Sequence, residues 1–140
     1  MPLSDRKLRP SSPYMLIRVF LAALALCFAI FGTWSILDPA AMGASLGVTF
    51  AGGNGIYEAR GVYGGVSLGA ALLLLSGVFR ERMIRPALWF VAAYMGGYTF
   101  ARIAGLIAGD KPTTDFILFA AFEVVCMILA IIALKAYKPK

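Results

Sequence analysis

Four apolar stretches, 15–37, 55–79, 86–109 and 116–134, occupy most of this 140-residue chain. Each is near or above the ~20 residues that a helix needs to cross ~30 Å of hydrocarbon at ~1.5 Å per residue. Lipid offers no water to satisfy peptide groups, so an isolated span of this length has to be helical. Short connections then place consecutive helices antiparallel. The expected fold is all-α: an integral membrane four-helix up-down-up-down bundle over 14–140, preceded by a polar lead over 1–13. Composition agrees, with 61% hydrophobic and 14% charged residues and a mean hydropathy of +0.83. A soluble domain is nearer half apolar and about a quarter charged. This excludes an ordinary water-soluble globule, a disordered chain and a nucleic-acid binder.

The charges sort by side. Arg6, Lys7, Arg9, Arg18, Arg80, Arg82, Arg85, Lys135, Lys138 and Lys140 fall on one face of the membrane, against Lys111 on the other. With the acids counted, the two sides carry +8 and −2, and the spans themselves are neutral. The positive-inside rule puts both termini of this several-times-crossing chain in the cytoplasm. The net charge of +6 thus implies anionic lipid rather than nucleic acid as a partner. Arg18 lies near enough to the inner end of the first span to reach the headgroups. The first span is too long for the apolar core of a signal peptide and reads as a retained helix.

Between the first two spans, Asp38-Pro39 has the form of a helix N-cap followed by proline at the first helical position. Gly47 would end this short helix, with Met42 and Leu46 on one face along the outer interface. The alternative is a lid over an outward-facing pocket. Residues 80–85 read as a tight basic turn, with Pro86 in the first turn of the third span.

Four ionisable residues interrupt the apolar spans: Glu58, Arg60, Arg102 and Glu123. Each costs about 2.5–3.5 kcal/mol at a helix centre on insertion scales, so such residues are functional candidates by default. Counted along the helices, all lie about 5–11 Å below the outer interface. Glu58 and Arg60 are two positions apart and point to different sides, so they need separate partners. The expected pairs are Glu58 with Arg102 and Arg60 with Glu123, with Tyr57, Tyr63, Tyr98 and Thr99 adding hydrogen bonds. Gly61, Gly65 and Gly69 share the Glu58 face, and Gly105 and Gly109 share that of Arg102; both sets suit close helix packing. The purely structural reading is that the charges neutralise one another and fix helix register.

The chain has no histidine. That removes His-ligated haem and His-containing zinc or copper sites, and no metal set is expected. Cys27 and Cys126 are single, mid-span and without paired spacing, which fits apolar packing.

The stretch Tyr57-Glu58-Ala59-Arg60-Gly61-Val62-Tyr63-Gly64-Gly65 resembles a pattern in a family of small bacterial four-helix membrane proteins known only as a domain of unknown function. Arg102-Ile103-Ala104-Gly105-Leu106, with Asp110 and Pro112 after it, resembles the family's second motif, and Glu123 its acidic residue in the last helix. The architecture is also similar to the DoxX-like group. Some members of that group are implicated as small subunits of membrane oxidoreductases that feed quinone.

Four functions compete. The first is a non-catalytic membrane module whose Glu/Arg layer binds a small amphiphile or lipid headgroup, or stabilises a membrane-protein partner. Paired arginines suit an acidic headgroup. The second is a quinone-linked subunit, with Glu58, Tyr63 and Arg102 around the quinone as cofactor. The third is a small proton-coupled transporter, which the adjacent arginines disfavour because they keep the acids ionised. A stand-alone enzyme is the weakest, for want of a nucleophile, base or metal set. The first is the expectation carried forward, with no catalytic residue and no resident cofactor.

Overall fold

The computed structural model describes residues 12–138. The basic lead through Arg9, together with Lys140, lies outside them. Five helices follow in order: α1 (Ser12–Leu37), α2 (Pro39–Ser45), α3 (Gly52–Phe79), α4 (Glu81–Ala108) and α5 (Thr114–Ala136). All except α2 are long and apolar enough to cross a membrane. The all-α bundle expected from the four stretches is the observed fold.

α2 forms as its residues dictate. The Asp38 carboxylate accepts from the Ala41 amide at 3.0 Å, Pro39 takes the first turn, and Gly47 follows at φ +68°. That φ favours glycine because a side chain would crowd the backbone. α2 does not lie free on the surface. Met42 is fully buried, and Gly43 abuts the Phe50 ring so closely that a Cβ would stand 2.6 Å from Cε2.

The basic turn expected over 80–85 is mostly helix. Only Arg80, in extended conformation, separates α3 from α4. Arg and Met are good helix formers, and long cationic side chains reach water while their backbone stays helical. Pro86 therefore sits in the second turn rather than the first, at an exposed position. There the carbonyl deprived of its donor remains open to solvent or headgroups.

α3 is not uniform. Residues Arg60–Gly65 form a π-helical segment between the α-helical segments Gly52–Ala59 and Val66–Phe79. Its buried positions show the consequence: Ala59, then Gly64, then Ser67, Ala70, Ala71, Leu74 and Gly77. The step of five from Ala59 to Gly64 is that of a wider turn, and it re-aims every residue before it. Gly64 is where α3 crosses α1; a Cβ there would stand 2.5 Å from Ile36 Cγ1. Gly77 has the same role lower down, against Ala87 and Leu21.

The bundle is closed at one end and splayed at the other. At the terminal end, Leu21, Leu74, Ile84, Leu88 and Ala130 form a continuous buried core. There the Tyr14 and Tyr137 rings meet edge to face, and Tyr14 donates to the Lys138 carbonyl while Tyr137 donates to that of Glu81. Toward the α2 end the helices separate into two pairs. α3 stays on α1 and α5 stays on α4, while the upper part of α3 has little contact with α4.

Candidate functional site

The four intramembrane charges do not form one closed layer. Arg102 of α4 pairs with Glu123 of α5: Nη2 donates to Oε1 at 3.1 Å and Nε to Oε2 at 3.3 Å. This fork-to-fork contact is geometrically specific, because the planar guanidinium matches both carboxylate oxygens. The burial is one-sided, with the Glu123 side chain 12% exposed and that of Arg102 38%. Aromatic rings shield the cation, Tyr98 at 5.5 Å and Phe116 at 5.6 Å from the guanidinium carbon to the ring centroid. Ring faces attract a desolvated cation, so these contacts hold Arg102 against Glu123.

The expected pairing is thus corrected. Glu123 takes Arg102 rather than Arg60, and Glu58 has no ion pair or side-chain hydrogen bond among the described residues. Arg60 instead donates from Nε to the Ile36 carbonyl at 3.0 Å. Ile36 lies in the last turn of α1, where carbonyls lack intrahelical donors and the helix dipole favours a cation. Arg60 therefore caps α1 near its end. The cause of both differences is the splaying: each charge finds its partner within its own helix pair, or finds none. Among the described residues there is one ion pair, half-buried, and not a buried network.

The aromatic and hydroxyl residues divide likewise. The Tyr98 hydroxyl lies 3.3 Å from that of Tyr94, and Thr99 Oγ1 donates to the Met95 carbonyl at 2.9 Å, within its own helix. Tyr63 packs against Phe31 and Phe50 on the other helix pair. Tyr57 points outward, 80% exposed. Glu58, Tyr63 and Arg102 therefore share no hydrogen bond.

The glycines expected to pack helices have other roles. A Cβ at Gly61 or Gly69 would meet nothing within 4 Å, and one at Gly65 would meet only the Arg60 carbonyl at 3.9 Å. The π segment turns this face away from α1 and leaves it uncovered. Gly109 adopts φ +98° and ends α4. The Asp110 amide returns to the Gly105 carbonyl at 3.0 Å, while the Asp110 carboxylate lies where a Gly105 Cβ would go, 2.6 Å away. Gly105 and Gly109 thus shape a helix-ending turn rather than a helix–helix contact.

Above the ion pair lies a recess of about 430 Å³, beside the segment whose alternative reading is a lid over an outward-facing pocket. Ser45, Leu46 and Gly47 from the end of α2 form one wall, and Lys111, Pro112, Thr113 and Asp115 another. Phe116 and Phe119 complete it. Phe116 connects the two features, because its ring also faces Arg102. Sequence held a further signal for this site: Lys111 is the single basic residue in the loops on that side. Placing it opposite Ser45 required the tertiary fold.

A family model described as "Domain of unknown function (DUF4345)" matches residues 16–134. The chain belongs to that family. No curated protein and no solved structure matches it.

Proposed function

We propose that this DUF4345 member is a non-catalytic, multi-pass protein of a bacterial inner membrane, with both termini cytoplasmic, that binds a small amphiphile at its outer-leaflet end. The observation that carries the reading is the recess between α2 and the start of α5. It combines an ammonium group, a carboxylate and two hydroxyls with the apolar surface of Leu46, Phe116 and Phe119. A headgroup needs the first set and an acyl or prenyl chain the second. The Arg102–Glu123 pair braces the floor: Arg102 faces the Phe116 ring and is itself fixed by two hydrogen bonds. Its role in this reading is to position Phe116, not to touch the ligand.

The test is photolabelling in proteoliposomes with a phospholipid that carries a photoreactive acyl chain. Label should concentrate on the peptide containing Phe116 and Phe119, and Lys111→Gln with Thr113→Val should remove most of it. Equal labelling of all helix ends, unchanged in that variant, would refute the proposal.

A second reading is a partner span rather than a lipid. Its support is the uncovered face of α3, where Gly61, Gly65 and Gly69 leave room for close backbone approach and Glu58 has no ion pair among the described residues. Small residues allow such contacts between spans. Gly65→Leu should then shift the stoichiometry seen by native mass spectrometry while leaving recess labelling intact. An unchanged stoichiometry removes this reading.

A further inference from the structure

The charges in the recess between α2 and the start of α5 narrow what can occupy it. Of the three aspartates at this end, Asp38 caps α2 through the Ala41 amide. Asp110 folds back on its own helix end, with its carboxylate over Gly105. Asp115 is the one that lines the recess, together with Lys111. These two do not neutralise each other. Arg102–Glu123 is the one ion pair among the described residues, so Lys111 and Asp115 share a concavity without forming a salt bridge.

The two hydroxyls of the recess differ in what they have left to offer. Ser45 Oγ donates to the Met42 carbonyl at 2.6 Å, so its lone pairs remain and its proton is used. Thr113 precedes α5 without capping it, so its hydroxyl proton is free of the helix. The recess thus presents an ammonium with a hydroxyl donor, and a carboxylate with a hydroxyl acceptor.

A headgroup of single sign satisfies half of this set. An anionic phosphodiester suits Lys111 and meets Asp115 as a like charge, and a cationic group does the reverse; an unmatched charge of this kind is how a site rejects the wrong partner. A headgroup with both signs satisfies both. Its cation has to carry N–H groups, because carboxylate and hydroxyl lone pairs accept hydrogen bonds and a quaternary ammonium has none to donate. Quaternary ammonium is held instead by a cage of aromatic faces. The recess has two rings, and Phe116 already faces the Arg102 guanidinium, which falls short of a cage.

We infer that the recess selects a zwitterionic headgroup, a phosphodiester bearing a primary ammonium, with the phosphate at Lys111 and Thr113 and the ammonium at Asp115 and Ser45. This rests on the reading of the recess as an amphiphile site and adds the class of its ligand. The source is a lipid or the corresponding soluble phosphodiester, and the apolar surface of Leu46, Phe116 and Phe119 favours the lipid.

Full-length protein is reconstituted in phosphatidylcholine nanodiscs that carry a trace of one photoreactive lipid. The probes are phosphatidylethanolamine, phosphatidylglycerol and phosphatidylcholine with the same photoreactive chain. Label on the peptide containing Phe116 and Phe119 is read by mass spectrometry. Phosphatidylethanolamine should exceed each of the others by about fivefold, the upper end for a solvent-accessible ion pair. Asp115→Asn should bring its ratio to phosphatidylglycerol down to about one or below, because the like charge is gone, while the peptide stays labelled. Asp110→Asn, an acid outside the recess, should leave the ratio as in wild type. A second headgroup that labels as strongly as phosphatidylethanolamine, or an Asp115→Asn ratio equal to wild type, overturns the inference and leaves the amphiphile site standing. Label spread evenly over all helix ends fails the site itself. Soluble glycerophosphoethanolamine in excess is the other arm: loss of the label identifies the free headgroup as a sufficient ligand, and retained label identifies the lipid. Should Asp115→Asn fail to insert, the wild-type ratio decides alone.

Discussion

Replacing Arg102 with methionine leaves the Glu123 carboxylate in place with no partner, and its side chain is only 12% exposed. Removing one member of a buried pair costs about 3–5 kcal/mol, because the survivor stays desolvated and unpaired. Arg102 is 38% exposed, so solvent screening reduces what the contact is worth, to about 2–3 kcal/mol for this change. The reverse substitution is milder. Glu123→Gln keeps an acceptor for the guanidinium, and Arg102 has room to turn toward water, so about 1 kcal/mol is expected. Arg102→Met with Glu123→Gln removes both charges and should recover most of the loss. The resulting coupling is about 2 kcal/mol. Polar couplings between membrane helices average about 0.6 and reach about 1.7 kcal/mol, so this pair is expected just above that range because it is ionic and doubly hydrogen-bonded. The assay is a double-mutant cycle from reversible unfolding in mixed micelles, followed by circular dichroism. A coupling below about 0.5 kcal/mol, or Glu123→Gln proving more damaging than Arg102→Met, would refute the argument from one-sided burial.

Three further outcomes are expected. Gly64→Val should cost about 1–3 kcal/mol through its clash with Ile36, while Gly61→Ala should be neutral or stabilising by up to about 0.5 kcal/mol; the same unfolding assay compares them. Asp38→Ala removes the α2 N-cap, and about 1 kcal/mol of local stability should disappear, seen as faster amide exchange confined to the α2 segment. Tyr137→Phe should lower stability by about 1 kcal/mol at neutral pH by deleting the bond to Glu81. The wild-type phenol is held above 10.0 in the fold, so its contribution is complete below that pH and is lost as pH rises through the higher folded value. The gap between wild type and Tyr137→Phe should therefore close in alkaline buffer, and a gap that persists there would contradict the assignment.

What could be read in advance follows from local rules. The four spans, α2 and its Asp38 cap depend on residues close in sequence, and each formed. Arg102 and Glu123 were both recognisable as intramembrane charges on helices joined by a short loop. Their pairing was not, because composition gives each charge a depth but not a neighbour. The glycine roles failed for a definable reason. Spacing rules assume a uniform helix, and the π segment Arg60–Gly65 shifts the packed position to Gly64, leaving Gly61, Gly65 and Gly69 outside.

The sequence by itself determined that this chain makes helices suited to lipid, how many, and where its charges interrupt them. It could do so because hydrogen bonding in hydrocarbon and the transfer cost of a charge are properties of single segments. Only the tertiary structure decided that α1–α3 and α4–α5 part at one end, so that Arg102 meets Glu123, Arg60 caps α1 and Glu58 has no ion pair among the described residues. The α1–α3 pair, and with it the reach of Arg60 to the end of α1, rests on a crossing at Gly32 and Gly64, where the would-be Cβ of Gly32 stands 3.0 Å from the Gly64 carbonyl oxygen. Contact geometry between segments is a property of pairs of surfaces, and it carries no mark in either segment alone.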